Sequence, residues 1–294
     1  MEGIMSRKYW LKITSMLAAG VMLSLSAAPS FAQGLLEKAR SQGITIGVGN
    51  DIPYGWITPD GQGKGISPDI AVKVLHEMGI TNIRWKGMPF GQLIPAVKSG
   101  RIDLAATSQN VLPERCKQVA FSKVNSSYGE GLLVLKGNPD GIHSYMAIKK
   151  NPQLKLGIVT GADELNFAQA LGIPQSQIVL VHSNADGIPA LLSHRINAFA
   201  ATGLSVYEIA KKAPGRVERA EPFTQPIYHG KPTRSYGAFS MRKSDQAFLK
   251  TFDATLAKVQ ETPFWAKTLE HYGLSKEDVA AARAVKTADL CAGK

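Results

Sequence analysis

Two cysteines, one arginine and a handful of acids and histidines carry most of the chemistry open to this 294-residue sequence. Arg115 stands directly before Cys116 in "SQNVLPERC" (108–116), and the only other thiol is Cys291, close to the end of the chain. A guanidinium is a planar fork of donors that matches a carboxylate through two parallel hydrogen bonds, a geometry lysine lacks, so Arg115 is a candidate for gripping an acidic group. The competing reading is a surface ion pair with Glu114. Asp51, Glu164, His182 and His194 are able to move a proton. Yet the sequence contains no Ser/His/Asp order, no paired-histidine metal spacing, no cysteine nucleophile and no G-x-x-x-x-G-K-S/T loop. This set of groups suits holding a small charged molecule better than breaking its bonds, and it calls for no cofactor or metal.

The first residues are read apart from the rest. Arg7, Lys8 and Lys12 lead into the apolar run "ITSMLAAGVMLSLSAA", and Ser30 and Ala32 are the small side chains a signal peptidase reads. Residues 1–32 are therefore expected to be a secretory signal cut after Ala32, which places the mature protein in the periplasm. A retained anchor is the alternative, but the run is short for a membrane span. Export implies an oxidising compartment, so Cys116 and Cys291 are expected to pair, the other reading being two buried free thiols. Closing so long a loop is worth up to about 5 kcal/mol by the chain-entropy argument.

The formal charge is +11, and the first 32 residues hold three basic side chains and one acidic one, leaving +9. Lysine and arginine are scattered, without the runs or interleaved aromatics of a nucleic-acid groove, so no nucleic-acid partner is expected.

The elements that must position these residues alternate along the chain. "ITIGVG" reads as a buried strand. "SPDIAVKVLHEMG" reads as a helix with Ser67 as N-cap, Pro68 in first position and Gly79 at its end. Strand and helix continue to alternate at the spacing of a parallel sheet with crossover helices. "IPAVKSGRIDLAA" (94–106) is echoed by "IPALLSHRINAFA" (188–200), each a helix running into a strand. The expected fold is therefore α/β: two similar lobes, each a mainly parallel sheet flanked by helices. The expected boundaries are 33–127 for the first part of lobe 1, 128–234 for lobe 2, and 235–294 for the return to lobe 1 and the tail. Two crossings make a hinge, and a hinge between two lobes makes a closing cleft.

The stretches "GNDIPYGW", "GISPDIAVKVLHEMG", "FGQLIPAVKSGRIDLAA", "LPERCKQVAFS" and "YGAFSMRK" resemble the polar amino-acid receptors (family 3) among the periplasmic solute-binding proteins of ABC importers. The resemblance covers essentially the whole mature chain and implies the type II two-lobed fold. Within that family "PERCKQ", "GNP", "HSY" and the cysteine in the tail are most similar to ectoine and hydroxyectoine receptors. By this resemblance Arg115 holds the ligand carboxylate, and Asp51 accepts from a cyclic amidinium, with a turn role as its competitor. Tyr54 and Phe90 enclose the ligand ring, where a cation over an aromatic face gains about 0.5–2 kcal/mol; both are also ordinary core residues. Gly161 and Ala162 in "TGADE" offer backbone N–H groups at a helix start, which suits a carboxylate, although capping by Thr160 or Asp163 explains the same stretch. Thr202 stands where amino-acid receptors place an acid for the α-ammonium, which argues against an ordinary α-amino acid. Asn110 replaces the third ring-enclosing aromatic, which points to a more polar relative of ectoine. The implied partners are a small zwitterionic solute and permease subunits with a separate ATPase, the receptor itself being a monomer. A polar amino-acid receptor, a periplasmic dehydratase on the same scaffold and a detached sensory module are the alternatives.

Overall fold

Short β-branched and alanine-rich runs form the strands, and because crossover helices cover both faces, the central strands are buried along their whole length, polar residues included. The structure, a computed structural model, describes residues 34–294 except His229 and the side chain of Tyr228. The expected signal segment 1–32 lies outside the described residues. The first sheet is built from β1 (Ile44–Val48), β2 (Ile83–Gly87), β3 (Leu104–Asn110), β4 (Ala120–Phe121) and β5 (Ser126–Tyr128). The second follows with β6 (Glu130–Leu135), β7 (Leu156–Val159), β8 (Ile178–Val181), β9 (Ala198–Thr202) and β10 (Val217–Arg219), before β11 (Ser235–Met241) returns to the first.

The order in the first sheet is β2-β1-β3-β11-β4, with β5 also paired to β11. β1 is parallel to β2 and β3, and β11 is antiparallel to β3. The second sheet runs β8-β7-β9-β6-β10, parallel from β8 to β9, with β6 antiparallel to β9 and β10. Every residue of β3 and of β9 is buried. The chain passes from one sheet to the other at Gly129 and returns just before Ser235. Gln225 ties the crossing together, its side chain accepting from Glu130 N and donating to Glu130 O, both at 2.9 Å. The expected two-lobed α/β fold with two crossings is therefore present.

The sequence echo is an echo of structure. Gly100 (φ 73) and His194 (φ 56) occupy the same left-handed turn position after their helices. Arg101 N and Arg195 N each reach back to an alanine carbonyl, Ala96 at 3.0 Å and Ala190 at 2.9 Å. Asp103 then accepts from Thr45 N at 3.0 Å, and Asn197 accepts from Lys155 N at 2.9 Å. A β-carbon on Gly47 would lie 2.4 Å from Ile102 Cδ1, and one on Gly157 would lie 2.5 Å from Ile196 Cδ1, so both lobes set a glycine against the isoleucine that follows the crossover helix.

One helix start differs from the sequence expectation. The helix Ile66–Glu77 begins after Gly65, whose φ of 121 only glycine adopts readily, and not after Ser67. Ser67 is released for another task. Its hydroxyl accepts from Ser108 N and pairs with Ser108 Oγ, both at 2.8 Å, and it accepts from Asn125 Nδ2 at 3.0 Å.

Helices Gln246–Glu261 and Pro263–His271 complete the first lobe, burying Phe248, Phe252 and Trp265 against Ile70 and Val74. Each such side chain contributes roughly 1.5–3 kcal/mol by leaving water. The tail helix Thr287–Cys291 then joins the short helix Pro113–Cys116 through the expected Cys116–Cys291 disulfide, which closes a 175-residue loop. Among the described residues no helix is long and apolar enough to cross a membrane.

Candidate functional site

In an open α/β sheet the loops beyond the carboxyl ends of the strands converge, and that is where a ligand crevice forms. Here two such ends face each other. Asp51 follows β1, and Thr107 and Ser108 stand in the second half of β3; Ala162 to Glu164 follow β7, His182 to Asn184 follow β8, and Thr202 ends β9. These residues, with Phe90 and Tyr128, line one cavity between the lobes. Two lining residues, Asn50 (φ 53) and Ser108 (φ 47), hold left-handed backbone conformations. Ser108 is fixed there by Ser67 and by the Tyr128 hydroxyl, which donates to Ser108 O at 2.6 Å.

The lobes are closed on one another by polar contacts. Asp51 Oδ1 accepts from Asn184 Nδ2 at 2.7 Å and from Ser205 Oγ at 2.6 Å, both across the cleft. Burial pushes the Asp51 carboxyl up to about 6, against the opposing pull of those two hydrogen bonds. Asn110 Nδ2 donates to Asp163 Oδ2 at 2.7 Å and to Ser235 Oγ at 3.0 Å. Asn166 donates to Glu114. Arg115, 7% exposed, donates through Nη1 to Asn110 O and through Nη2 to Gly161 O, each at 2.9 Å. Asp163 Oδ1 is 3.9 Å from Nη2, and the guanidinium carbon lies 5.8 Å from the centroid of Phe90.

A cluster of acids stands behind this contact. Ser235 Oγ is 3.1 Å from Asp163 Oδ2 and 3.3 Å from Glu130 Oε1. Glu164 lines the cavity, and Glu130 sits at the crossing. Desolvation, reinforced by the neighbouring carboxylates, holds the pKa of Glu130 and of Glu164 well above the usual carboxylate range. Oε2 of each is buried without a hydrogen-bond partner.

The expected site residues divide accordingly. Asp51, Phe90, Ala162 and Thr202 line the cavity, and Thr202 also caps the helix Gly203–Ala210 by accepting from Ser205 N at 3.2 Å. Tyr54 does not enclose this space. It is 1% exposed in the first-lobe core, its ring 4.7 Å from that of Tyr128, and its hydroxyl approaches Thr202 without a well-formed hydrogen bond. Tyr128 takes the aromatic position at the wall instead. Asn110 is buried behind the wall as a partner of Asp163. Arg115 lines the adjoining outer groove, together with Phe90, Gly161 and Asn166 from the two sides. Of the two backbone candidates, Ala162 N donates to Val159 O at 3.0 Å, and Gly161 O accepts from Arg115. Of the proton-moving candidates, Asp51, Glu164 and His182 meet in the cavity, whereas His194 is the turn residue described above. The sequence reading did not foresee Asp163, Tyr128, Asn184 and Ser205. The only available signal was the pair of acids in "TGADE" directly after a strand.

Two α/β lobes closing on a buried polar cavity define a small-molecule receptor. The sequence profile of the bacterial extracellular solute-binding proteins, family 3, matches residues 44–275, and the chain belongs to that family. It is 40% identical over 277 residues to a probable amino-acid ABC transporter periplasmic-binding protein, y4tE, of Sinorhizobium fredii, covering 93% of this chain and 91% of that one. It is 26% identical over 192 residues to the L-arginine-binding protein of Pseudomonas aeruginosa, covering 65% and 70% of the two. Among solved structures, EhuB in complex with hydroxyectoine superposes with a TM-score of 0.80 at 30% identity, covering 88% of this chain and 98% of that one. AncCDT-1, an ancestral amino-acid-binding protein and precursor of cyclohexadienyl dehydratase, shares the fold at a TM-score of 0.70 and 23% identity, covering 81% and 99%.

Proposed function

We propose that this chain is the exported capture subunit of an ABC importer for a small organic solute bearing a positive charge, as ectoine, hydroxyectoine and the basic amino acids do. The observation that carries this reading is the interlobe cavity, which Asp51, Glu164 and Phe90 line together. A carboxylate opposite an aromatic face suits a delocalised cation. The likeness to the hydroxyectoine complex supports an ectoine-type solute, and the relatives named for arginine and amino-acid binding support the broader class. The receptor acts as a monomer in the periplasm after cleavage behind Ala32, and hands its solute to permease subunits driven by a separate ATPase. Its role is capture without turnover, a reading supported by relatives named as transporter binding proteins.

Closure couples to transport only if the solute binds the closed form better than the open one, and a micromolar ligand supplies about 8 kcal/mol to divide between closure and retention. Native mass spectrometry of the purified protein, followed by calorimetry with ectoine, hydroxyectoine, basic and polar amino acids and simple organic cations, tests the reading. A one-to-one complex with a member of this panel is expected. Silence across the whole panel would overturn it.

A further inference from the structure

Glu130 and Ser235 stand at the two crossings between the lobes, Glu130 at the start of β6 and Ser235 at the start of β11. The hydrogens around them can be counted. The Asn110 amide is fixed in orientation, because its Oδ1 accepts from Tyr236 N at 2.9 Å, and its Nδ2 donates both to Asp163 Oδ2 and to Ser235 Oγ. Ser235 Oγ therefore already has a donor. Its own single hydrogen faces two carboxyl oxygens, Asp163 Oδ2 at 3.1 Å and Glu130 Oε1 at 3.3 Å. One hydrogen does not serve both, so with both acids ionised one oxygen would lie against a serine lone pair.

The shortfall falls on Glu130. Asp163 has Asn110 as a donor and Arg115 as a counter-charge. Glu130 is 3% exposed, its Oε2 is enclosed without a partner, and among the described residues no lysine, arginine or histidine pairs with it. The titratable groups around it are the carboxyls of Asp163 and Glu164 beyond β7 and of Asp51 beyond β1, and the phenols of Tyr54, Tyr128 and Tyr145. A buried carboxylate with a shared donor and acidic neighbours is costly, whereas the neutral acid supplies the missing hydrogen. Its raised pKa has the same cause.

This count matters for closure. Asp163 belongs to the second lobe, and Asn110 and Ser235 to the sheet of the first, so their contacts exist only while the lobes are together. Resting on the receptor reading above for what closure accomplishes, we propose that Glu130 is a proton switch at the hinge. Neutral, it donates to Ser235, which donates in turn to Asp163 and seals the lobes. Ionised, it competes for the serine hydrogen and sets a negative charge beside Asp163, which favours the open form and releases the solute.

Two measurements test this. In the ligand-free protein at pH 7 the infrared band of protonated carboxyl groups should lose intensity in Glu130→Gln. An unchanged band would show Glu130 already ionised and overturn the inference, whatever the chain binds. Calorimetry with hydroxyectoine and L-arginine from pH 6.5 to 9.5 then reads closure. For a probe that binds, wild-type affinity should fall about ten-fold or more relative to Glu130→Gln across that range, and the comparison cancels any titration of the probe itself. Ser235→Ala, which removes the relay, should flatten the profile in the same way, and Ser235→Thr should restore it, each variant keeping a cooperative thermal transition. Parallel profiles in the wild type and these variants would overturn the inference while leaving the receptor reading intact. Silence from both probes would count against the receptor reading, and the infrared band would still decide whether Glu130 holds a proton.

Discussion

Gly91 of the first lobe and Gly161 of the second approach so closely that a β-carbon on Gly161 would lie 2.7 Å from Gly91 Cα, and one on Gly91 would lie 2.7 Å from Thr160 O. Each contact is with backbone, so neither can be relieved by turning a side chain. Gly91 sits in the 3-10 turn Phe90–Gln92 and has no need of a left-handed conformation, so alanine there is unstrained until the lobes meet. Gly91→Ala is therefore expected to hold the receptor open. Small-angle scattering should show a larger radius of gyration in the presence of ligand, and affinity should fall at least ten-fold. Stability should change by less than about 0.5 kcal/mol. A variant that closes and binds normally would refute the point.

Arg115 spans the same seam. Replacing it with alanine leaves the carbonyls of Asn110 and Gly161 without donors and Asp163 without its counter-charge. Truncating one partner of a buried charged contact costs roughly 2–5 kcal/mol. The loss should fall on the closed state, and so be read as weaker binding. Arg115→Lys should recover only part of it, because one ammonium does not span both carbonyls in the guanidinium's geometry. Calorimetry with any bound cation checks this, and an unchanged affinity in both variants would show that the bridge is idle.

Binding of a cation should weaken in acid. Asp51, pushed up to about 6 by burial, faces Ser205 and Asn184 as donors and Asp163 as a like charge. A cation favours the ionised carboxylate, so affinity falls as pH drops from 7.5 through 6. The raised pKa of Asp51 has the opposite sign for folding. Its contribution to stability is fully present below the unfolded value near 3.9 and is lost as pH rises through about 6. Asp51→Asn should flatten the affinity profile and raise the thermal midpoint at neutral pH. Titrations from pH 5 to 8, paired with thermal melts, separate the two effects.

The Cys116–Cys291 bond closes a 175-residue loop, for which the chain-entropy argument gives up to about 5 kcal/mol. The Cys116→Ser, Cys291→Ser variant should unfold at lower denaturant and with a steeper slope, because the freed unfolded chain expands and exposes more surface. Because Cys116 ends the helix that carries Arg115, ligand affinity should also fall modestly. Reduction of the native protein should reproduce the stability loss, and equal midpoints with and without reductant would contradict it.

The fold was legible in the sequence because its signals are local. The echo of 94–106 in 188–200 marks the same turn in both lobes, down to the left-handed position shared by Gly100 and His194. The helix start at Ser67 was misplaced because serine before proline is a good cap by composition, whereas the decisive fact is the backbone of Gly65 and a partner 41 residues away at Ser108. Within the site, Asp51 and Phe90 could be placed by their position after a strand or turn. The direction of Arg115 could not, since it depends on Gly161, 46 residues on in the other lobe. Tyr54 and Tyr128 are both tyrosines near the seam, and only packing decides which faces the cavity. The link from Asn110 to Asp163 is likewise a meeting of two lobes, which no local pattern encodes.

β11 lies inside the first sheet, between β3 and β4, although it is among the last strands to be synthesised. The second lobe is drawn from one continuous stretch of chain. The first is split in sequence, and its sheet is divided without residues 235–241. Chain order and completeness thus run opposite ways: the half begun first needs the far end of the sequence to be whole.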